Sequence, residues 1–156
     1  MRRKKNIKRE IKVDPIYGSA LVSQFTNALM YGGKKSTAYK VLLGALEEMK
    51  KVKKGENPVT MLENAVNNVA PALEIRPRRV GGATYQVPHE VSPKRRLSLA
   101  LRWLILASRA KKGKPMSSKL AEELLLALKN EGSAIKKKLD THRMAEANKA
   151  FAHFAW

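Results

Sequence analysis

The chain has 156 residues, with 32 Lys and Arg against 13 Asp and Glu, a net charge of +19 and no cysteine. That length suffices for one domain burying roughly 70% of the surface its unfolded chain exposes, and the missing cysteines remove a disulfide framework, thiolate metal sites and thiol catalysis together. A charge so far from zero exceeds what solubility requires and points to a polyanionic partner, nucleic acid first; a membrane surface fits less well, because no apolar run approaches the ~18 residues of a span and the basic residues are dispersed over many segments.

Residues 1–12 hold Arg2, Arg3, Lys4, Lys5, Lys8, Arg9 and Lys12, with Ile7 and Ile11 as apolar company. Like charges at this density repel, so the segment is expected to stay disordered until a polyanion neutralises it. It lacks the apolar run and small-residue cleavage site of a secretory signal, and residues 1–17 are read as a basic extension of a cytosolic protein. Asp14-Pro15 turns the chain into a first helix, predicted from Leu21, Val22, Phe25, Ala28 and Leu29 and ended by Gly32-Gly33. Ala38, Val41, Leu42, Ala45, Leu46 and Met49 predict a second, running into lysines around 50–54, where a helix C-terminus favours cations, and stopping at Gly55. Asn57-Pro58 caps a third, whose stripe of Leu62, Ala65, Val66 and Val69 runs to Pro71.

Between this helix and the next, residues 72–91 break the pattern: ALEIRPRR and ATYQVPHEV flank Val80-Gly81-Gly82, with β-branched and aromatic side chains in place of a helical stripe. Two strands joined by a glycine turn are predicted. If Gly81 and Gly82 form the turn, Arg78 opposes Tyr85 and Arg76 opposes Val87, while Arg79 opposes Thr84 and Pro77 opposes Gln86; a bulge would shift this by one. Prolines 77 and 88 cannot donate to a ladder, which suits a two-stranded ribbon with free outer edges. At ~3.3 Å per residue such a ribbon reaches roughly 25 Å. Its base is expected to lean on the body through Leu73, Ile75 and Val91, and its arginine-bearing tip to project and be stabilised by what it touches.

Ser92-Pro93 repeats the cap-and-proline signal. Leu97, Ala100, Leu101, Trp103, Leu104, Ile105 and Ala107 then place apolar residues on nearly every face, predicting a buried central helix. After the basic loop Lys111-Lys112-Gly113-Lys114-Pro115, a fifth helix carries Leu120, Leu124, Leu125 and Leu128, with Glu122 and Glu123 expected near its positive end. Gly132 closes it, and Ser133 is expected to cap a weakly apolar sixth helix, SAIKKKLDTHRMAEANKAF, at the edge of the bundle; residues 151–156 form a C-terminal tail. The expected fold is mainly α: a single bundle of about six helices with a protruding two-stranded β-ribbon between the third and fourth.

The basic residues carry the chemistry. Arg76, Arg78 and Arg79 present guanidinium forks that suit phosphate, and Lys94-Arg95-Arg96 and the loop at 111–114 add separate contacts, each releasing counterions. Any one of these runs could be only a solvated face. Tyr85 could stack on a base or shield its neighbours. Histidines 89, 142 and 153 lack metal-ligand spacing, so no metal is assigned. YGGKKST at 31–37 fails as a phosphate loop, because Lys34 rather than glycine precedes Lys35-Ser36. No carboxylate pair or nucleophile-base arrangement emerges, so an enzyme, a cofactor and a small-molecule substrate are not expected. An architectural DNA protein with a proline-bearing ribbon is the competing class, ahead of an RNA-processing enzyme.

RPRRVGGATYQVPHEVSPKRR followed by LSLALRW, together with YGGKK and RMAEANKAFAHFAW, resembles the bacterial small ribosomal subunit protein seven family over essentially the whole chain. The resemblance implies a six-helix body with the ribbon between its third and fourth helices, acting as a single RNA-binding domain over residues 1–156. It implies a structural constituent of cytoplasmic ribosomes that binds the 3′ major domain of 16S ribosomal RNA, nucleates assembly of the subunit head, and lies beside small-subunit proteins nine and eleven. In some bacteria such proteins also repress translation of their own operon. Carried over by position, Arg2, Arg3, Lys4, Lys5 and Lys8, then Lys34 and Lys35, then Arg76, Arg78 and Arg79, then Lys94, Arg95 and Arg96, then Lys111, Lys112 and Lys114 would face ribosomal RNA. Arg78, Arg79, Val80, Gly81, Gly82 and Tyr85, with Arg143 of the last helix, would lie near the exit-site transfer RNA and messenger path. The tail and the ribbon are expected to order upon docking.

Overall fold

The computed structural model describes residues 12–53 and 55–154; the expectations placed on the basic arm at 1–11, with Arg2, Arg3, Lys4, Lys5 and Lys8, and on residues 54, 155 and 156 lie outside the described residues. Six α-helices and one β-hairpin are described: α1 (Ala20–Leu29), α2 (Lys35–Val52), α3 (Pro58–Val69), β1 (Leu73–Val80), β2 (Ala83–Glu90), α4 (Pro93–Ala110), α5 (Met116–Leu128) and α6 (Ser133–Ala147), followed by a terminal 3-10 helix (Lys149–Phe154). The chain is thus mainly helical, with the antiparallel ribbon between α3 and α4.

The helices begin where local chemistry favours a start. Asp14 is buried and its carboxylate accepts from the Ile16 and Tyr17 N–H groups at 3.1 and 2.8 Å, closing the turn before α1. Asn57 Oδ1 accepts from Val59 N–H at 3.0 Å, with Pro58 pre-set at the first helical position of α3. Ser92 caps α4 through its backbone instead, its carbonyl accepting from Arg96 N–H at 2.8 Å.

One apolar cluster joins all six helices, with Phe25 of α1, Leu42, Leu46 and Met49 of α2, Met61 and Leu62 of α3, Leu104 of α4, and Leu120 and Leu124 of α5 fully buried. Each such side chain stabilises the fold by roughly 1.5–3 kcal/mol through its removal from water. The central helix is α5, not α4 as the apolar content of α4 suggested. Every residue of α5 is buried or half-buried, whereas α4 exposes Arg102 and Leu106, the latter by 55%. The cause is packing: α5 is surrounded by α2, α3, α4 and α6. Gly44 lets α2 come close to it, since a Cβ there would stand 3.3 Å from Ser117 Cβ.

The junction of α5 and α6 departs from expectation. Glu123 lies a full turn or more into α5, fully buried, and its Oε1 accepts from Ala134 N–H at 2.9 Å, while Lys111 Nζ sits 2.9 Å from its Oε2. It therefore caps α6 rather than responding to its own helix dipole. Ser133 is the first residue of α6 rather than its cap. That position belongs to Gly132, at φ 96°, where a Cβ would stand 2.9 Å from Glu123 Oε1. The glycine is required by both its backbone conformation and the approaching carboxylate.

In the ribbon the register runs from Leu73↔Glu90 to Val80↔Ala83, with Arg76↔Val87, Arg78↔Tyr85, Arg79↔Thr84 and Pro77↔Gln86 paired as expected. Gly81 and Gly82 turn at φ 56° and 89°, the left-handed values a two-residue hairpin turn requires. The root is held by the Val91 N–H bond to Ala72 O at 3.0 Å and by Ala72 N–H donating to His142 Nε2 of α6 at 3.1 Å. Glu74 and Val87 are the buried residues of the ribbon, while the expected anchors Leu73, Ile75 and Val91 are half-buried. The last α-helix stops at Ala147, short of the expected Phe151, and the 3-10 helix that follows lies along β2 with the Phe151 and Phe154 rings 5.1 and 5.4 Å from that of Tyr85. One face of the ribbon is thus covered by the chain's own end.

Candidate nucleic-acid interface

The ribbon root and the first turn of α4 meet at one acid. Arg76 Nε donates to Glu74 Oε1 at 2.7 Å, with Arg76 Nη2 on the same oxygen, and Arg95 Nε donates to Glu74 Oε2 at 3.1 Å. The Glu74 side chain is 9% exposed, against 55% for Arg76 and 44% for Arg95. Burial pushes the Glu74 pKa up, but the hydrogen bonds from Arg76 and Arg95 and their charges outweigh it and hold the carboxyl below its ordinary value. Arg76 and Arg95, expected as separate contacts, form one arrangement. Sequence reasoning did not single out Glu74; its place two residues before Arg76, on the same ribbon face, was the available signal for half of it.

Lys94 and Arg96 are exposed beside this pair. From Lys94 a groove of about 830 Å³ runs between α1 and α4, with Gln24, Asn27, Arg102 and Arg109 over Leu101 and Ile105. Arg109 Nη2 also donates to Leu29 O at 3.1 Å, closing the end of α1. Arg102 and Arg109 were missed in the sequence; Lys94, Ser98 and Arg102 recur every fourth residue, which extends the 94–96 cluster along one face of the helix.

Lys34 and Lys35 are exposed at the start of α2, next to Tyr31, which is 83% exposed. The loop at 111–114 divides. Lys111 is tied to Glu122 and Glu123 and Lys114 to Glu122, leaving Lys112 as the exposed lysine that these ion pairs do not engage. Lys111 thus neutralises the buried Glu123, whereas Lys114 and Glu122 meet at the surface, where an ion pair contributes little. Arg79, Gly81 and Gly82 are exposed at the ribbon tip, Arg78 and Val80 are half-buried, and Arg143 is exposed on α6, the helix that packs against the ribbon. Tyr85 packs on Phe151 and Phe154, a contact that the sequence reading did not include.

These positions are at odds with helix stability. Lys35 stands in the first turn of α2, and Lys94, Arg95 and Arg96 in the first turn of α4, where backbone N–H groups already concentrate positive charge. Each such cation costs a few tenths of a kcal/mol or more, and an anion placed there reverses the sign. Among the described residues no group of histidines, aspartates and glutamates could hold a metal, and no helix is long and apolar enough to cross a membrane.

The family model for ribosomal protein S7p/S5e matches residues 1–149. The chain belongs to this family. Small ribosomal subunit protein uS7 of Thermotoga neapolitana and that of Thermotoga maritima are each 56% identical to it over 156 residues, covering the whole of both chains, and that of Dictyoglomus thermophilum is 58% identical over 148 residues, 95% of this chain and 94% of its own. For this S7p/S5e protein the resemblance read from RPRRVGGATYQVP is thereby established, and that segment is the ribbon that leaves the helical body.

Proposed function

We propose that this chain is a non-catalytic structural constituent of the small ribosomal subunit, and that residues 1–156 act as a single domain binding the 3′ major domain of 16S ribosomal RNA and directing assembly of the subunit head in the cytoplasm. The supporting observation is the set of exposed cations on helix first turns and the ribbon, among them Lys35, Lys94 and Arg96, which stand where a helix N-terminus disfavours positive charge. Separate anchors on one body, at Lys34–Lys35, Arg76–Arg79, Lys94–Arg96 with Arg102, and Lys112, hold RNA helices distant in sequence in one relative geometry. Arginine forks read RNA shape and backbone rather than base sequence. The tip at Arg79–Gly82, with Arg78, Tyr85 and Arg143 behind it, faces exit-site transfer RNA and messenger, and small-subunit proteins nine and eleven are its neighbours. The basic arm with Arg2, Arg3, Lys4, Lys5 and Lys8 adds further cations for RNA phosphates. The same surface would repress the protein's own message where that message presents similar RNA geometry.

The test is binding, at matched salt, to a three-way-junction RNA from the 3′ major domain and to duplex DNA of equal length. Affinity for the RNA should exceed that for DNA by well over tenfold, and equal affinities would favour an architectural DNA protein.

A further inference from the structure

Glu74 is a buried acid inside a strongly basic surface, between Arg76, Arg78 and Arg79 on β1 and Lys94, Arg95 and Arg96 on α4. A surface that only attracted a polyanion would be better without it. Nor is stability an adequate reason, since a buried carboxylate recovers its desolvation cost only when well paired and is often no better than an apolar residue. What the carboxylate supplies is geometry. Its two oxygens are taken by guanidinium groups from two different elements, Oε1 by Arg76 of the ribbon and Oε2 by Arg95 of α4. Arg95 is engaged through its Nε–H, and a guanidinium carries five N–H donors in one plane, so donors remain for a second acceptor. Both side chains are about half exposed, and the first-turn N–H groups of α4 lie beside Arg95.

We propose that Glu74 is a positioning residue, which sets Arg76 and Arg95 as a two-pronged clamp on one phosphate of the RNA backbone and so fixes the ribbon root and α4 on the same strand. This rests on the reading of the surface as RNA-binding.

Glu74→Gln separates positioning from charge. It raises the net charge by one, from +19 to +20, so attraction alone would leave affinity for the junction RNA unchanged or higher. Positioning requires the opposite: affinity falls by at least about fivefold, and the slope of log K against log salt loses about one phosphate contact. The full-length variant is compared with wild type after circular dichroism shows equal helicity. Arg95→Lys, on the exposed face of α4, keeps the charge, removes the planar fork and does not threaten the fold; it should lower affinity by about threefold or more. In the double variant the Glu74→Gln loss should largely vanish, because both act on one clamp. A folded Glu74→Gln protein that binds as tightly as wild type, or an Arg95→Lys protein with wild-type affinity and slope, overturns the proposal. Wild-type protein that does not prefer junction RNA overturns the proposed function instead, and this inference with it.

Discussion

The Glu123 carboxylate accepts the Ala134 N–H at 2.9 Å and faces Lys111 at 2.9 Å with no exposure to solvent. Glu123→Ala leaves a helix N–H without its acceptor and takes from Lys111 its nearer carboxylate, and should destabilise the protein by about 2–4 kcal/mol in urea unfolding, while Glu123→Gln, whose amide oxygen still accepts, should lose less. Gly132→Ala strains the same cap from the other side, at φ 96° and 2.9 Å from Oε1, and should not add fully to the loss in Glu123→Ala. His142 titrates at the ribbon root. Burial, then the charges of Lys138 and Arg96, lower its pKa from 6.5, and its Nε2 is the acceptor for Ala72 N–H. The unfolded chain takes up this proton first. Stability is therefore intact above about pH 6.5 and falls as pH drops below it toward the lowered folded value. The Glu74 contribution is present above about pH 4.5 and is lost as pH falls through its lower folded value. Thermal unfolding between pH 7.5 and 5.5 should fall less for His142→Gln than for wild type. A uniform drop in both would place the titration elsewhere.

Among the elements, the ribbon and the terminal 3-10 helix belong together. Aromatic pairs of the Tyr85–Phe151 kind contribute about 0.5–1.5 kcal/mol beyond area burial. Phe151→Ala should speed hydrogen exchange at ribbon amides by roughly threefold to tenfold without changing α5, and unchanged ribbon exchange would mean that the chain end does not hold it. The pairing register was legible because Gly81-Gly82 defines the turn and side chains alternate with period two. The covering of Tyr85 was not, because nothing local to residue 85 names a partner more than sixty residues away. The same holds for α4: its apolar residues marked a buried helix, but which helix has neighbours on every side is a matter of packing. Lys94→Ala tests the opposition between fold and function in the first turn of α4. It should raise thermal stability slightly and weaken RNA binding, whereas losses in both would make Lys94 structural.

For the whole molecule, a net charge of +19 distributed over separate elements predicts binding dominated by counterion release. If six or more phosphates are contacted, raising salt from about 50 to 200 mM should cost about a thousandfold or more in RNA affinity, measured by filter binding. A slope near one would leave a single anchor and no basis for holding distant helices together. Hydrophobic period, glycine turns and cap-proline signals determined the helices and the ribbon, because each is a property of residues within a few positions of one another, while the family was carried by the resemblance of motifs such as RPRRVGGATYQVP. Charge composition likewise determined the class of partner. Only the tertiary structure decided which cations serve the protein and which face outward: Lys111 and Lys114 are held by acids of α5, while Arg76 and Arg95 converge on Glu74 from elements separated by the ribbon turn. The physical reason is that a charge acquires its role from what stands within about 4 Å of it, and that distance is set by packing, not by order along the chain.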